Sequence, residues 1–308
     1  MRIGVVMPAF NVAPYIGCAI RSVLAQTWTD WTLTVVDDGS PDETAAVAAV
    51  FDDQRVRLIR QSNEGVSAAR NRGVAETRAD AMLFLDADDW LSPGALTVLA
   101  ATLRAHPGAV AAVGPYRRVG SRGRGRVWPP PSGDLLRTLL IRNLFANGGH
   151  LLIHRSVLDA AGPFHSGLRF GEDWEFWVRL ACLGPFAAAA NRAPLLFVRE
   201  RLGGAYLGMA AQPESFVPCM DAIFGASSVR ARFCPGDLAH LRRRTEAEND
   251  WIVGRELIRH GRAPEGLPFL RRSVHAAPSI RRLALLAAAC VPMTRIGPFR
   301  AYAAAGDV

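Results

Sequence analysis

Two acidic clusters directly follow apolar, strand-like runs, and they are the residues of this chain best suited to chemistry. The cluster 37–40 follows the run 33–36, and the cluster 86–89 follows the run 81–85. Carboxylates at the carboxyl end of a buried strand are costly to place without a partner. Ligands of open α/β sheets bind at that edge, and a divalent cation bridging to a phosphorylated substrate would offset the cost. The clusters therefore indicate a nucleotide or phosphate site.

The second cluster contains a pair of carboxylates with D-x-D spacing, Asp86 and Asp88. On an extended segment alternate side chains point the same way, so the pair could converge on one cation. Mg²⁺ and Mn²⁺ prefer such oxygen ligands and complete their shells with phosphate oxygens. A solvated turn or a helix cap before Trp90 is the alternative interpretation.

Asp38 and Arg70 are candidate ligand contacts at the same edge. The Asp38 carboxylate could accept hydrogen bonds from a base or a ribose, although a capped helix start at Ser40 would also explain this turn. Arg70 lies on a predicted helix, where its guanidinium could hold a diphosphate by a fork contact. A surface arginine is the alternative.

A third acidic pair, Glu172 and Asp173, begins an amphipathic helix that runs through Leu183. The helix macrodipole favours carboxylates there, which is a complete structural explanation. The functional alternative is a general base that deprotonates an acceptor hydroxyl. His150 and His154 are further base candidates, although a strand position favours a structural role for both.

Strands and helices alternate through the first part of the chain, which predicts a mainly parallel, doubly wound α/β sheet. The strands are predicted at 3–7, 32–36, 56–60, 81–85, 110–115 and 148–154. The helices are predicted at 13–26, 42–51, 66–76, 93–103, 135–145 and 156–161.

The remaining segments predict a loop and a helical tail. Residues 117–133 are rich in Arg, Gly, Ser and Pro. This composition predicts a mobile loop that covers an active site. Its Arg-Gly alternation lacks aromatic residues, so nucleic acid is not an expected partner. We expect a catalytic domain at 1–205 and a helical C-terminal extension at 206–308, with helices at 242–262, 264–276 and 279–290.

Composition narrows the class of protein further. The 36 basic residues are all arginine and outnumber the 28 acidic ones, a net charge of +8 that suits anionic partners. Five scattered cysteines and the lack of a signal peptide or a long apolar run predict a cytoplasmic protein. The glycine signatures of dinucleotide-binding enzymes, P-loop enzymes and α/β-hydrolases are absent.

Six ordered blocks resemble the family 2 glycosyltransferases, which are inverting enzymes of the GT-A fold. The blocks read VVMPAFN at 5–11, SVLAQT at 22–27, VVDDGS at 35–40, NEG to ARN at 63–71, LDADD at 85–89 and GEDWEFW at 171–177. The resemblance covers roughly residues 1–205. It implies a GT-A type doubly wound sheet flanked by helices, followed by the helical tail.

The resemblance also implies roles for individual residues. The residues implied to contact the nucleotide are Pro8, Ala9, Phe10, Asp38, Arg70 and Asp86. In the implied D-x-D motif, Asp88 would bind Mn²⁺ or Mg²⁺, and Asp89 is a second candidate metal ligand. Asp173 would be the catalytic base, with Glu172 beside it.

The implied activity is hexosyl transfer by a single displacement, from a nucleotide-diphosphate sugar to a hydroxyl of a glycan or lipid-linked acceptor. One sugar would be moved at a time, because the Q-x-x-R-W motif of processive synthases is absent. Polysaccharide or cell-envelope glycan synthesis is the expected context. Association with the inner face of the membrane and dimerisation through the C-terminal helices are further expectations. A nucleotidyltransferase and a non-catalytic sugar-nucleotide binding module are the alternatives.

Overall fold

The computed structural model describes residues 1–120, 123–200 and 212–290 and contains two β-sheets and the helices that flank them. The strands are β1 (Ile3–Ala9), β2 (Trp31–Asp37), β3 (Val56–Arg60), β4 (Ala81–Phe84), β5 (Trp90–Leu91), β6 (Ala111–Val113), β7 (Tyr116–Gly120), β8 (Gly123–Trp128), β9 (Leu151–His154), β10 (Phe186–Ala188) and β11 (Leu196–Arg199). The helices before residue 200 are α1 (Ala13–Leu24), α2 (Thr44–Ala49), α3 (Val66–Glu76), α4 (Ala95–Ala105), α5 (Leu136–Leu139), α6 (Arg155–Ala161) and α7 (Glu172–Leu183). The tail helices are α8 (Phe216–Gly225), α9 (Ser227–Arg230), α10 (Pro235–Arg259), α11 (Ala263–Ala276) and α12 (Ile280–Cys290).

The main sheet has seven strands in the order β10-β6-β9-β4-β1-β2-β3. All its pairs are parallel except those of β9, which runs antiparallel to β4 and β6. The smaller sheet has the order β5-β11-β7-β8. The predicted α/β fold with a mainly parallel sheet is therefore confirmed.

Both faces of the main sheet are covered, which is why its central strands are apolar throughout. Every residue of β1 is buried. On one face, α1 and α4 contribute Ile16, Ile20, Leu96 and Leu99 to a buried cluster. On the other face, α7 packs together with tail helices in a second cluster.

Several predicted boundaries hold and others need correction. The strand at 56–60 and the helix at 66–76 have their predicted limits. The helix expected at 135–145 is only the short α5, because its carbonyl groups at 139 and 140 bond to side chains of α7 and α10 instead of continuing the helix. The strand expected at 148–154 begins with a 3₁₀ turn at Gly148–His150.

The segment 117–133, expected to be a mobile loop, instead contains most of the antiparallel β7–β8 hairpin. Strand β7 also pairs with β11, so the hairpin extends a sheet. The stacked rings of Tyr116 and Trp128, 6.0 Å apart, fix the base of the hairpin. Glycine content suggested irregular backbone, but cross-strand pairing decided the conformation.

The tail packs directly on the α/β part of the chain. Phe216, Met220 and Ile223 of α8 belong to the same buried cluster as Trp174 and Phe176 of α7. The predicted tail helices at 242–262, 264–276 and 279–290 correspond to α10, α11 and α12, and α10 begins earlier than expected. No helix among the described residues has the length and apolar character that crossing a membrane requires. The domain boundary at 205 remains a prediction.

Candidate active site

The carboxyl ends of β1, β2 and β4 form the edge at which the candidate site lies. The register of β1 pairs Ala9 with Asp37 on one side and Val6 with Phe84 on the other. The acidic residues that follow β2 and β4 therefore come to the same edge. This is where an open parallel sheet binds ligands.

The first acidic cluster separates into two different positions. Asp37 is fully buried and bonds to the Arg60 guanidinium at 3.2 Å and to the Ser40 amide. Gly39 forms the turn at φ +72°, where an added Cβ would lie 2.9 Å from the Asn63 nitrogen. A side chain would therefore clash with the neighbouring loop, and only glycine fits this turn.

Asp38 anchors the loop that leads into α3. One of its oxygens accepts hydrogen bonds from the Gln61 side chain at 2.8 Å and the Glu64 amide at 2.9 Å. The other accepts from the Gly65 amide at 2.8 Å. The Asp38 carboxylate thus shapes the wall of the site, and its predicted nucleotide contact is untested.

The three residues at the end of β1 that are predicted to contact the nucleotide differ in exposure. Pro8 and Ala9 are buried within the strand. Phe10 follows directly and is 48% exposed. Its open ring at the edge of the sheet is the member of this group that a ligand could cover, and the role of all three remains a prediction.

Arg70 joins the acidic cluster that follows β4 to the acidic pair that begins α7. One of its guanidinium nitrogens lies 3.2 Å from Asp86, and the other lies 2.9 Å from Glu172. The side chain is buried against the ring of Phe164, 5.3 Å away. Burial alone would lower its pKa, but the charges of Asp86, Glu172 and Asp173 outweigh burial and raise it. Arg70 is therefore a permanently charged bridge, whereas sequence reasoning left a surface arginine open.

The D-x-D segment is a turn rather than the expected extended segment, because the Asp89 amide bonds to the Asp86 carbonyl at 3.0 Å. Asp86 and Asp88 are nevertheless both partly exposed, while Ala87 and Asp89 are buried. The two carboxylates that the spacing predicted to act together are therefore both partly accessible, and their joint metal binding is untested.

Asp89 is held by two groups of the protein. Its oxygens accept hydrogen bonds from the Asn147 side chain at 2.6 Å and the Arg199 amide at 2.8 Å. Burial, followed by the charges of Asp86 and Asp88, raises the pKa of Asp89 well above its usual range. These contacts give Asp89 a structural function in fixing the turn, and its predicted metal ligation is untested.

The described residues contain no cluster of three or more acidic, histidine or cysteine side chains that could hold a metal by themselves. Mg²⁺ and Mn²⁺ sites in nucleotide enzymes need only one or two carboxylates, because substrate phosphates and water supply the other ligands. The accessible oxygens of Asp86 and Asp88 fit that kind of site.

Asp173 lies at the start of α7, which begins after Gly171 in a left-handed conformation at φ +74°. Its carboxylate accepts a hydrogen bond from the Trp174 amide at 2.6 Å, and the Asn143 side chain lies 3.4 Å from its other oxygen. Burial, followed by the charge of Glu172, raises the pKa of Asp173 to about 7, although Arg70 opposes the rise. A carboxylate with this pKa could accept a proton near neutral pH.

The two histidines considered as bases lie elsewhere. His150 is fully buried, bonds to the Gly114 carbonyl at 2.7 Å, and has its pKa lowered to about 4 by burial. His154 pairs with Ala81 at the start of β4, which is the opposite edge of the sheet. Their structural interpretation is therefore favoured.

Sequence reasoning missed Asn143, Asn147 and Arg199, which hold the acidic residues in place. Arg199 donates to the Asp88 carbonyl at 3.0 Å, and its guanidinium lies over the rings of Tyr15 and Trp90. Their signal in the sequence is weak, because each one is far along the chain from the residue that it contacts.

Solved structures share this architecture, which is the GT-A fold. S. aureus TarS 1–349 in complex with UDP-GlcNAc matches with a TM-score of 0.67 and 18% identity, covering 93% of this chain and 84% of that chain. The mannosyltransferase PcManGT from Pyrobaculum calidifontis, in complex with GDP-Man and Mn²⁺, matches with a TM-score of 0.57 and 19% identity, covering 93% and 79%. At such low identity these matches show the shared fold.

The family follows from sequence comparison. The model of Glycosyl transferase family 2 matches residues 4–162, just over half of the chain. The chain therefore belongs to family 2 of the glycosyltransferases. The uncharacterized glycosyltransferase EpsJ of Bacillus subtilis (strain 168) is 32% identical over 189 residues, which are 56% of this chain and 54% of EpsJ. The chain thus matches about half the length of this relative.

Proposed function

We propose that the protein is an inverting, metal-assisted glycosyltransferase that moves one hexose from a nucleotide-diphosphate sugar to an acceptor hydroxyl. The observation that supports this most is the bridge made by Arg70, which contacts Asp86 and Glu172 and lies beside the candidate base Asp173. Arg70 therefore links Asp86, which would face the donor, to Glu172 and Asp173, which would face the acceptor.

The donor side of the reaction would use the accessible edge of the sheet. Asp86 and Asp88 would hold a Mn²⁺ or Mg²⁺ ion, which neutralises charge on a departing diphosphate when it is bound. Phe10 offers an exposed ring on which the nucleobase of the donor could stack. The Arg70 guanidinium, paired with Asp86, adds positive charge at this edge, which would favour a diphosphate there.

The acceptor side would use Asp173 as the general base. Its raised pKa of about 7 allows it to take the proton of the acceptor hydroxyl near neutral pH. The deprotonated oxygen attacks the anomeric carbon while the bond to the diphosphate breaks, so the anomeric configuration inverts. Asn143 and the Trp174 amide hold the carboxylate in place for this step.

The biological setting belongs to the same proposal. The acceptor would be a glycan or a lipid-linked sugar of polysaccharide or cell-envelope synthesis. Reaction in the cytoplasm, association with the inner face of the membrane, and dimerisation through the C-terminal helices remain predictions.

The decisive experiment first finds the donor and then tests the base. UDP- and GDP-linked sugars are screened with Mn²⁺ for protection against thermal unfolding, and nucleoside diphosphate release is then measured with candidate acceptors. We expect Asp173→Asn and Asp88→Ala to lose activity, while the exposed Asp52→Asn control retains it. Unchanged turnover in Asp173→Asn, or retention of the anomeric configuration in the product, would refute the proposed mechanism.

A further inference from the structure

An open cavity of about 430 Å³ lies between the segment that contains α5 and the long tail helix α10. Its volume is in the range of small-molecule sites. The residues that line it are Arg137, Thr138, Ile141, Arg142, Arg244 and Glu248. None of them belongs to the candidate active site.

The cavity carries an uncompensated positive charge. Arg137, Arg142 and Arg244 are exposed, and no described residue forms an ion pair with any of the three. The lining carboxylate, Glu248, is already bound by Arg282 of α12 at 2.5 Å. Three guanidinium groups therefore face the cavity without a carboxylate of their own.

This arrangement favours phosphate over other anions. Guanidinium groups bind phosphate and carboxylate oxygens through paired N–H donors. A single carboxylate carries one negative charge, whereas a phosphate monoester or a diphosphate carries more. The more highly charged anion therefore neutralises three arginines better. None of the described residues that line the cavity has an aromatic side chain on which a nucleobase could stack, which disfavours single-stranded nucleic acid as the occupant.

The cavity wall is attached to the helix that carries the candidate base. The Leu139 carbonyl accepts a hydrogen bond from the Trp174 ring at 2.6 Å, and the Leu140 carbonyl accepts one from Thr245 of α10 at 2.6 Å. Asn143, the neighbour of the lining residue Arg142, reaches Asp173. The cavity therefore belongs to the acceptor side, whereas the donor is expected at Asp86.

We propose that this cavity binds a phosphate group of the acceptor and so places the acceptor hydroxyl at Asp173. This inference rests on the proposed function, because it takes Asp173 as the base. The acceptor would be a phosphorylated glycan or a lipid-linked sugar phosphate, which share the same anionic group.

The direct test measures anion binding without turnover. Binding of inorganic pyrophosphate and of glycerol 3-phosphate is measured by calorimetry at low salt, in EDTA and with saturating UDP to fill the nucleotide site. We expect the double variant Arg142→Gln/Arg244→Gln to weaken binding by roughly tenfold or more, the usual effect of losing charge-assisted hydrogen bonds. Arg243→Gln is the matched control, since Arg243 is an exposed neighbour on the same helix but does not line the cavity.

A second variant tests the sign of the effect. Glu248→Gln removes the negative charge from the lining and should tighten pyrophosphate binding several-fold, which damage to the fold would not do. Absence of binding to the wild-type protein, or equal binding by the double variant and the Arg243→Gln control, would overturn the proposal.

Failure of the cavity proposal can be distinguished from failure of the proposed glycosyltransferase activity. If no donor is turned over but the double variant loses phosphate binding, the cavity is a phosphate site and the proposed activity fails. If sugar transfer occurs and the double variant leaves both phosphate binding and the acceptor KM unchanged, the cavity proposal fails alone.

Vesicles of phosphatidylcholine with and without polyprenyl phosphate distinguish the two sources of the phosphate group. Binding only to the vesicles that contain polyprenyl phosphate identifies a lipid-linked acceptor, and binding only to the soluble probes identifies a phosphorylated glycan.

Discussion

The substitution Asp173→Asn should lower transfer by orders of magnitude and at the same time stabilise the fold at alkaline pH. Burial, followed by the charge of Glu172, raises the pKa of Asp173 from 3.8 to about 7 in the folded protein. The isosteric amide keeps an oxygen that can accept the Trp174 hydrogen bond. It removes only the negative charge that the folded site tolerates poorly.

The magnitude follows from the difference between the two pKa values. Below about pH 4 the folded and unfolded chains both hold the proton, so Asp173 contributes no penalty. Between about pH 4 and pH 7 the unfolded chain is ionised while the folded chain still holds the proton, so stability falls as the pH rises; above about pH 7 both are ionised and the loss is complete. At about 1.4 kcal/mol per pH unit the loss is at most about 4 kcal/mol. Because Asp173 is partly exposed, solvent screening reduces it to about 2–3 kcal/mol.

Thermal melts of the wild type and Asp173→Asn between pH 5 and pH 8 test this reasoning. We expect the variant to melt about 3–5 °C higher at pH 8 and the gap to narrow toward pH 5. Transfer by the variant should fall by roughly 10²–10⁴-fold, the usual contribution of a general base. Asp52→Asn, on the surface, should change neither property. An equal gap at pH 5 and pH 8, or a less stable variant at pH 8, would refute the raised pKa.

Three further substitutions test the contacts around the site. Arg70→Met should destabilise the fold by about 3–5 kcal/mol at pH 8 and by less at pH 5, because it leaves carboxylates without their cation; melting curves beside the half-exposed control Arg72→Met check this. Asp89→Ala and Asn147→Ala should each cost about 1–3 kcal/mol, and the double variant less than their sum, in a urea denaturation cycle. Gly171→Ala should lower both the melting temperature and kcat. The added Cβ would lie 2.6 Å from the Cys219 sulfur, and alanine would be strained in the left-handed conformation that precedes α7.

Most of the parallel sheet could be predicted because its signals are local. Apolar runs closed by acidic or proline residues mark β1, β2 and β4, and helical spacing marks α1. The β7–β8 hairpin could not be found in this way. Its arginine and glycine residues have no strong strand preference, and pairing with β11, far along the chain, determines its conformation.

The site shows the same division between local and distant signals. Asp86, Asp88 and Asp173 could be proposed from neighbouring residues and family blocks. The burial of Arg70 could not, because it depends on Glu172, 102 residues further along the chain. The contacts of Asp89 also depend on distant partners, and they distinguish it from the accessible Asp88 that follows the same strand.

The position of the base depends on the tail as well as on the sheet. Cys219 of α8 donates a hydrogen bond to the Gly171 carbonyl at 3.1 Å, directly before Glu172 and Asp173. Thr245 of α10 fixes the segment whose Asn143 contacts Asp173 from the other side. Because both contacts would be lost without the tail, the position of the candidate base Asp173 depends on the combined structure. A tail that packs against the start of α7 and lines an arginine-rich cavity is therefore placed to influence which acceptor would reach Asp173, the candidate base.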